Sequence, residues 1–164
     1  MRFWRRAMKK TNRTYDFSKM YYDWVCKCLQ EDEKFEELAF FKLGVDLIVR
    51  QKELIDIKFS QIDFPYVKDI EVKKIKKIPK DPTSENDRDY EYVVAEPSYY
   101  PPREISKDTY DCIRLYCIGD NKLFRKSSQA YIESIIESIG DGMFNGHTIR
   151  RLGTILRFEK RINK

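Results

Sequence analysis

Apolar residues recur three and four apart over residues 16–30, where Tyr21, Trp24, Val25, Cys28 and Leu29 fall on one side. That spacing predicts an amphipathic helix, with Asp16 as its N-cap. Residues 32–43, "DEKFEELAFFKL", predict a second helix. Its acids crowd the first turn, where they complement the helix dipole, and Gly44 follows as a natural stop. From Val45 the period changes to two. Val45, Leu47 and Val49 alternate with Asp46, Ile48 and Arg50, and Ile55, Ile57 and Phe59 alternate with Asp56, Lys58 and Ser60. Alternation of this kind predicts two short strands, joined by "RQKE".

Further on, residues 66–78 read as a third strand and 90–95, "YEYVVA", as a fourth. The stretch between them, residues 79–89, has two prolines and no other apolar residue, and predicts a loop. Residues 111–126 read as a hairpin around Gly119-Asp120-Asn121, with a helix over 107–118 as the competing reading. "SSQAYIESIIESIG" at 127–140 carries a serine cap, a stripe of Ile132, Ile135, Ile136 and Ile139, and a terminal glycine. The order of elements predicts an α+β or α/β fold, a single domain with a mixed β-sheet flanked by helices. A length of 164 residues suits one such domain. No apolar run approaches the roughly 20 residues that span a bilayer, so no membrane is expected. The start of the chain leads into no apolar segment of a secretory signal, and a cytoplasmic setting follows by default.

Charge changes the picture. Residues 1–13 carry Arg2, Arg5, Arg6, Lys9, Lys10 and Arg13 without an acid, a charge of +6. Residues 143–164 carry six basic residues, among them Arg150, Arg151 and Arg157, against Glu159, a charge of +5. The net charge is +5, so the body between the ends is 5 − 6 − 5 = −6. The chain thus divides into a basic N-terminal arm (1–13), a core domain (14–142) and a basic C-terminal segment (143–164). Basic ends of this kind follow a phosphate backbone by counterion release or dock on an acidic protein surface. Four cysteines at C-x-C and C-x4-C spacing lack the pattern of a zinc knuckle and read as buried free thiols.

The polar residues of the two predicted strands suggest chemistry. Asp56 and Lys58 leave the same side of one strand, and Asp46 stands on the strand before it. Glu36 lies on the helix that leads into them. Hard carboxylate ligands hold Mg²⁺, the metal activates a water, and a neighbouring lysine stabilises developing charge. The segment "FEELAFFKLGVDLIVRQKELIDIKF" at 35–59 resembles the core of the PD-(D/E)xK nuclease superfamily, in which a helix glutamate precedes an Asp-bearing strand and a strand with (D/E)-x-K. The resemblance implies a metal-dependent nuclease that hydrolyses phosphodiester bonds in DNA or RNA. It implies Mg²⁺ or Mn²⁺ held by Glu36, Asp46 and Asp56, with Lys58 positioning the attacking water. Val45 stands where the motif has proline, and Asp56 replaces the commoner Glu. In this reading Arg2, Arg5, Arg6, Lys9, Lys10, Arg150, Arg151 and Arg157 hold the nucleic acid. The competing reading is a solvated hairpin in a non-enzymatic subunit. Such a protein would be an assembly component of a phage-like virion or nucleoprotein complex, homo-oligomeric or docked on other proteins through its basic arms, and virion-associated if viral.

Overall fold

The computed structural model describes residues 14–72, 75–79, 90–94, 97–117 and 121–162. Helix α1 (Thr14–Glu31) buries Ser18, Tyr21, Val25 and Leu29 at intervals of three and four, the spacing of one helix face. A turn at Asp32–Lys34 leads into α2 (Phe35–Leu47), which runs past Gly44 and ends at Ile48 in the left-handed conformation. Helix α2 is buried almost all round. Leu38, Ala39, Phe40, Phe41, Leu43, Val45 and Leu47 all lie in the core. A helix apolar on every side belongs in the centre of a fold. Accordingly α1, α3 (Gln51–Leu54), α4 (Lys107–Tyr116), α5 (Ser128–Ile139) and α6 (Gly146–Ile162) all pack against it. Each fully buried Phe or Leu contributes roughly 1.5–3 kcal/mol, so this helix is the principal source of core stability.

Two glycines allow α6 to cross α2 closely. A Cβ at Gly153 would lie 2.3 Å from the Val45 carbonyl oxygen, and one at Gly44 would lie 2.7 Å from Ile149 Cγ2. Gly44 therefore ends no helix. It is a packing position inside one, and the missing side chain is what the crossing needs. This is the physical reason the first predicted strand is absent. Val45 to Leu47 continue α2, and the apparent alternation there reflects a helix that has little polar face to reveal its true period. The second predicted strand is absent too. Residues 51–54 form α3, Lys58 makes an isolated bridge with Lys122, and Phe59–Gln61 form a 3-10 turn.

The β-structure is small and antiparallel. Strands β1 (Ile62–Asp63), β2 (Tyr66–Val67) and β5 (Arg103–Glu104) form a three-stranded sheet, with Ile62 opposite Val67, Tyr66 opposite Glu104 and Val67 opposite Arg103. Strands β3 (Ile75–Pro79) and β4 (Tyr90–Val94) pair separately as an antiparallel hairpin. The chain is a single α+β domain in which helices carry most of the core. Residues 107–116 adopt the helical alternative, because Ser106 caps α4 by accepting from the Thr109 N–H at 3.1 Å. Helix α5 is as the stripe predicts, capped by Ser127 and ended by Gly140 at φ +69°. The basic C-terminal segment is the long helix α6, and its Ile149, Leu152 and Gly153 are buried. No helix among the described residues is long and apolar enough to cross a membrane.

Candidate functional site

Glu36, Asp46, Asp56 and Lys58 occupy three separate surroundings. Glu36 opens α2, and its carboxylate accepts from the Arg125 N–H at 3.0 Å and from the Tyr131 hydroxyl. Tyr131 in turn accepts from the N–H groups of Arg125 and Lys126. This network fastens the start of α2 to the segment that leads into α5. Asp46 lies ten residues further along α2, about 15 Å away at 1.5 Å per residue. Its carboxylate accepts from the Ser106 N–H at 3.0 Å and lies 3.3 Å from the Ser106 hydroxyl, so it ties α2 to the cap of α4. Burial pushes the Asp46 carboxyl above its usual range, against the opposing pull of the Ser106 hydrogen bonds and the Arg157 charge.

Asp56 and Lys58 are brought together, but elsewhere. Both line a cleft of about 500 Å³ with Glu53, Gln61, Asp69, Glu71 and Lys122, none of which lines the cleft that holds Asp46. Mg²⁺–oxygen distances of about 2.0–2.1 Å require carboxylates to converge. Glu36, Asp46 and Asp56 therefore do not form one Mg²⁺ or Mn²⁺ ligand set. The cause is the fold itself: with 35–47 a single helix, Glu36 and Asp46 are held a fixed helix length apart.

The cysteines read from sequence as buried free thiols are of two kinds, with Cys112 and Cys117 buried and Cys26 and Cys28 half-buried. Burial pushes Cys26 and Cys117 up to about 12 and Cys112 up to about 11, so they remain neutral near pH 7. All four cysteines are free. Lys42, beside Cys26 and Cys112, pairs with Asp108 at the start of α4.

The basic residues give a more coherent surface. A pocket of about 430 Å³ lies where the start of α3, α5 and the start of α6 meet. Arg50, Lys52, Gln129, Asn145, His147 and Arg150 stand on its walls with Gln51, Ile132 and Gly146, and no acid is among them. Asn145 caps α6, its side-chain oxygen accepting from the Thr148 N–H at 3.1 Å. The positive end of a 17-residue helix therefore opens here, where anions are favoured. The Nε of Arg150 is buried and has no hydrogen-bond partner among the described residues. A Cβ on Gly146 would lie 2.9 Å from the Gln51 side-chain oxygen, so α6 begins hard against α3.

Of the other basic residues named from sequence, Arg151 is exposed on α6. Arg157, half-buried, donates from Nη2 to the Glu104 carbonyl at 2.9 Å. Arg2, Arg5, Arg6, Lys9 and Lys10 lie outside the described residues. Sequence reasoning missed Arg50 and Lys52, because "RQKE" reads as a plain connection between strands. Only the crossing of α6 over α2 places it beside Arg150. Comparison of the chain with known protein families, characterised proteins and solved structures finds no match.

Proposed function

We propose that this protein binds nucleic acid through the positive surface around α6 and acts as a non-hydrolytic component of a nucleoprotein complex. The observation that carries this reading is the acid-free pocket walled by Arg50, Lys52, His147 and Arg150 at the start of α6. The body of the chain, residues 14–142, has a net charge of −6, so a cationic pocket without a carboxylate is a departure from its surroundings. A phosphate there would meet the guanidinium groups of Arg50 and Arg150 and a helix N-terminus, while Arg151 offers a further charge on the exposed side of the same helix. Binding of this kind is sequence-independent and weakens steeply with salt, because each phosphate contact releases counterions. Hydrolysis has less support than binding. The ligand set that the nuclease resemblance implies needs Glu36, Asp46 and Asp56 together, and the length of α2 separates the first two.

The test is fluorescence anisotropy with labelled DNA and RNA over a salt series. Binding at about 50 mM salt is expected, with log K falling linearly against log salt. Replacing Lys52 by Glu and Arg150 by Gln in a protein that keeps its circular dichroism should flatten the slope by about one for each phosphate contact removed. Absence of binding at low salt, or an unchanged slope in the double variant, would overturn the proposal. Incubation of the same substrates with Mg²⁺ or Mn²⁺ should leave them intact; cleavage that is lost in Asp56→Ala would instead restore the nuclease reading.

A further inference from the structure

A second cleft, of about 360 Å³, lies at the edge of the three-stranded sheet and is lined by Tyr66, Pro101, Pro102, Arg103, Glu104 and Arg157. It joins an apolar, aromatic wall of Tyr66, Pro101 and Pro102 to the guanidinium group of Arg157. Tyr66 is 44% exposed, and its neighbour Phe64, 41% exposed, stacks on Tyr110 at 4.7 Å. The backbone that carries Tyr66 is fixed. Tyr66 is paired to Glu104 in the β2–β5 ladder, and Pro101–Pro102 fix the backbone on the other side. Arg103, opposite the buried Val67 in the ladder, turns to the other face of the sheet and anchors it to α2. Its Nη1 donates to the Leu47 and Ile48 carbonyls at the end of α2, and its guanidinium lies 4.5 Å from the centre of the Tyr100 ring. Arg157 spends one of its five N–H donors on the Glu104 carbonyl.

Arg157 also links this cleft to the basic pocket. It stands seven residues after Arg150 on α6, about 10.5 Å along the axis and roughly 20° around it, hence on the same side of the helix. A phosphate chain seated near Arg150 can thus continue to Arg157, where a ring awaits beside a cation. Exposed aromatic faces beside arginines are what unpaired bases stack on. A duplex buries the faces of its bases and offers this cleft only phosphates.

Resting on the nucleic-acid reading above, we infer that the Tyr66–Arg157 cleft receives an unpaired base, so that the ligand is single-stranded nucleic acid. The ring of Tyr66 supplies the stacking platform, Arg157 the backbone charge, and the proline pair the rigid opposing wall.

The test compares a single strand of about 15 nucleotides, as oligo(dT) and oligo(U), with a duplex of the same length. Wild type, Tyr66→Ala, Tyr66→Phe and Lys52→Glu are each titrated. The single strands should bind more tightly than the duplex. Tyr66→Ala should weaken single-strand binding about tenfold, leaving duplex binding unchanged, and Tyr66→Phe should restore it, since the ring and not the hydroxyl does the stacking. Lys52→Glu should weaken single strand and duplex alike. The inference is overturned, with the nucleic-acid reading intact, if Tyr66→Ala binds single strands as well as wild type does, or if the duplex is preferred. If no nucleic acid binds at all, both fall.

Discussion

Asp46 stands on α2 with its carboxylate half-buried against the cap of α4, and its two best-placed partners both come from Ser106. Burial outweighs those bonds, so the folded-state pKa lies above the unfolded value of 3.8. The sign of the pH effect follows. A carboxyl with a raised folded pKa loses stability as pH climbs from the unfolded pKa through the folded one, because the unfolded chain ionises first. Asp46→Asn keeps a side-chain oxygen for the Ser106 N–H and removes the charge. Its melting temperature, measured against wild type, should therefore improve between about pH 3.5 and about pH 7. A difference that does not change over that range would refute this account of Asp46. Glu36 is structural in a different way. Tyr131→Phe would leave its carboxylate and the N–H groups of Arg125 and Lys126 without a shared partner. A cost of about 1–3 kcal/mol in denaturant unfolding is expected.

At the scale of elements, the crossing of α6 over α2 decides both the fold and the surface. Gly153 tolerates no side chain, since the obstacle at 2.3 Å is a backbone oxygen rather than the end of a flexible chain. Gly153→Ala should cost about 1–3 kcal/mol or more, read from urea unfolding. Gly44→Ala meets only side-chain methyls of Ile149 and Leu54 and should cost less. Equal effects would mean that the crossing is not as tight at Gly153 as described. The elements differ in how plainly they announce themselves. Helix α5 is legible because its serine cap, isoleucine stripe and terminal glycine all agree. Helix α2 misleads because it is buried almost all round, so it has little polar side to mark the 3.6-residue period, and its glycine is there for packing.

For the whole molecule, α6 is part of the core and not an appendage to it. Ile149 and Leu152 sit among the buried residues of the central cluster, and Arg157 reaches the sheet at Glu104. A chain that ends at residue 145 should therefore lose cooperative unfolding and become sensitive to protease, because α2 would expose its buried side. Retention of a sharp thermal transition would contradict this. The same arrangement gives the molecule its charge asymmetry. The helix that completes the core carries Arg150, Arg151 and Arg157, so core packing and the positive surface depend on one element.

The sequence alone determined a single domain of helices and strands, α+β or α/β, with helices α1 and α5, a strand at 90–95 and the basic character of the C-terminal segment. Each rests on local signals, either a periodic apolar stripe, a cap or a run of like charge. It also led to a carboxylate site, because residues 45–49 and 55–59 alternate as strands do and Asp56-x-Lys58 matches a short motif. Only the tertiary structure decided that these carboxylates stand apart and that Arg50, Lys52 and Arg150 stand together. The reason is physical. Whether Gly44 stops a helix or seats one depends on Ile149 and Gly153, more than a hundred residues away, and no local pattern carries that contact.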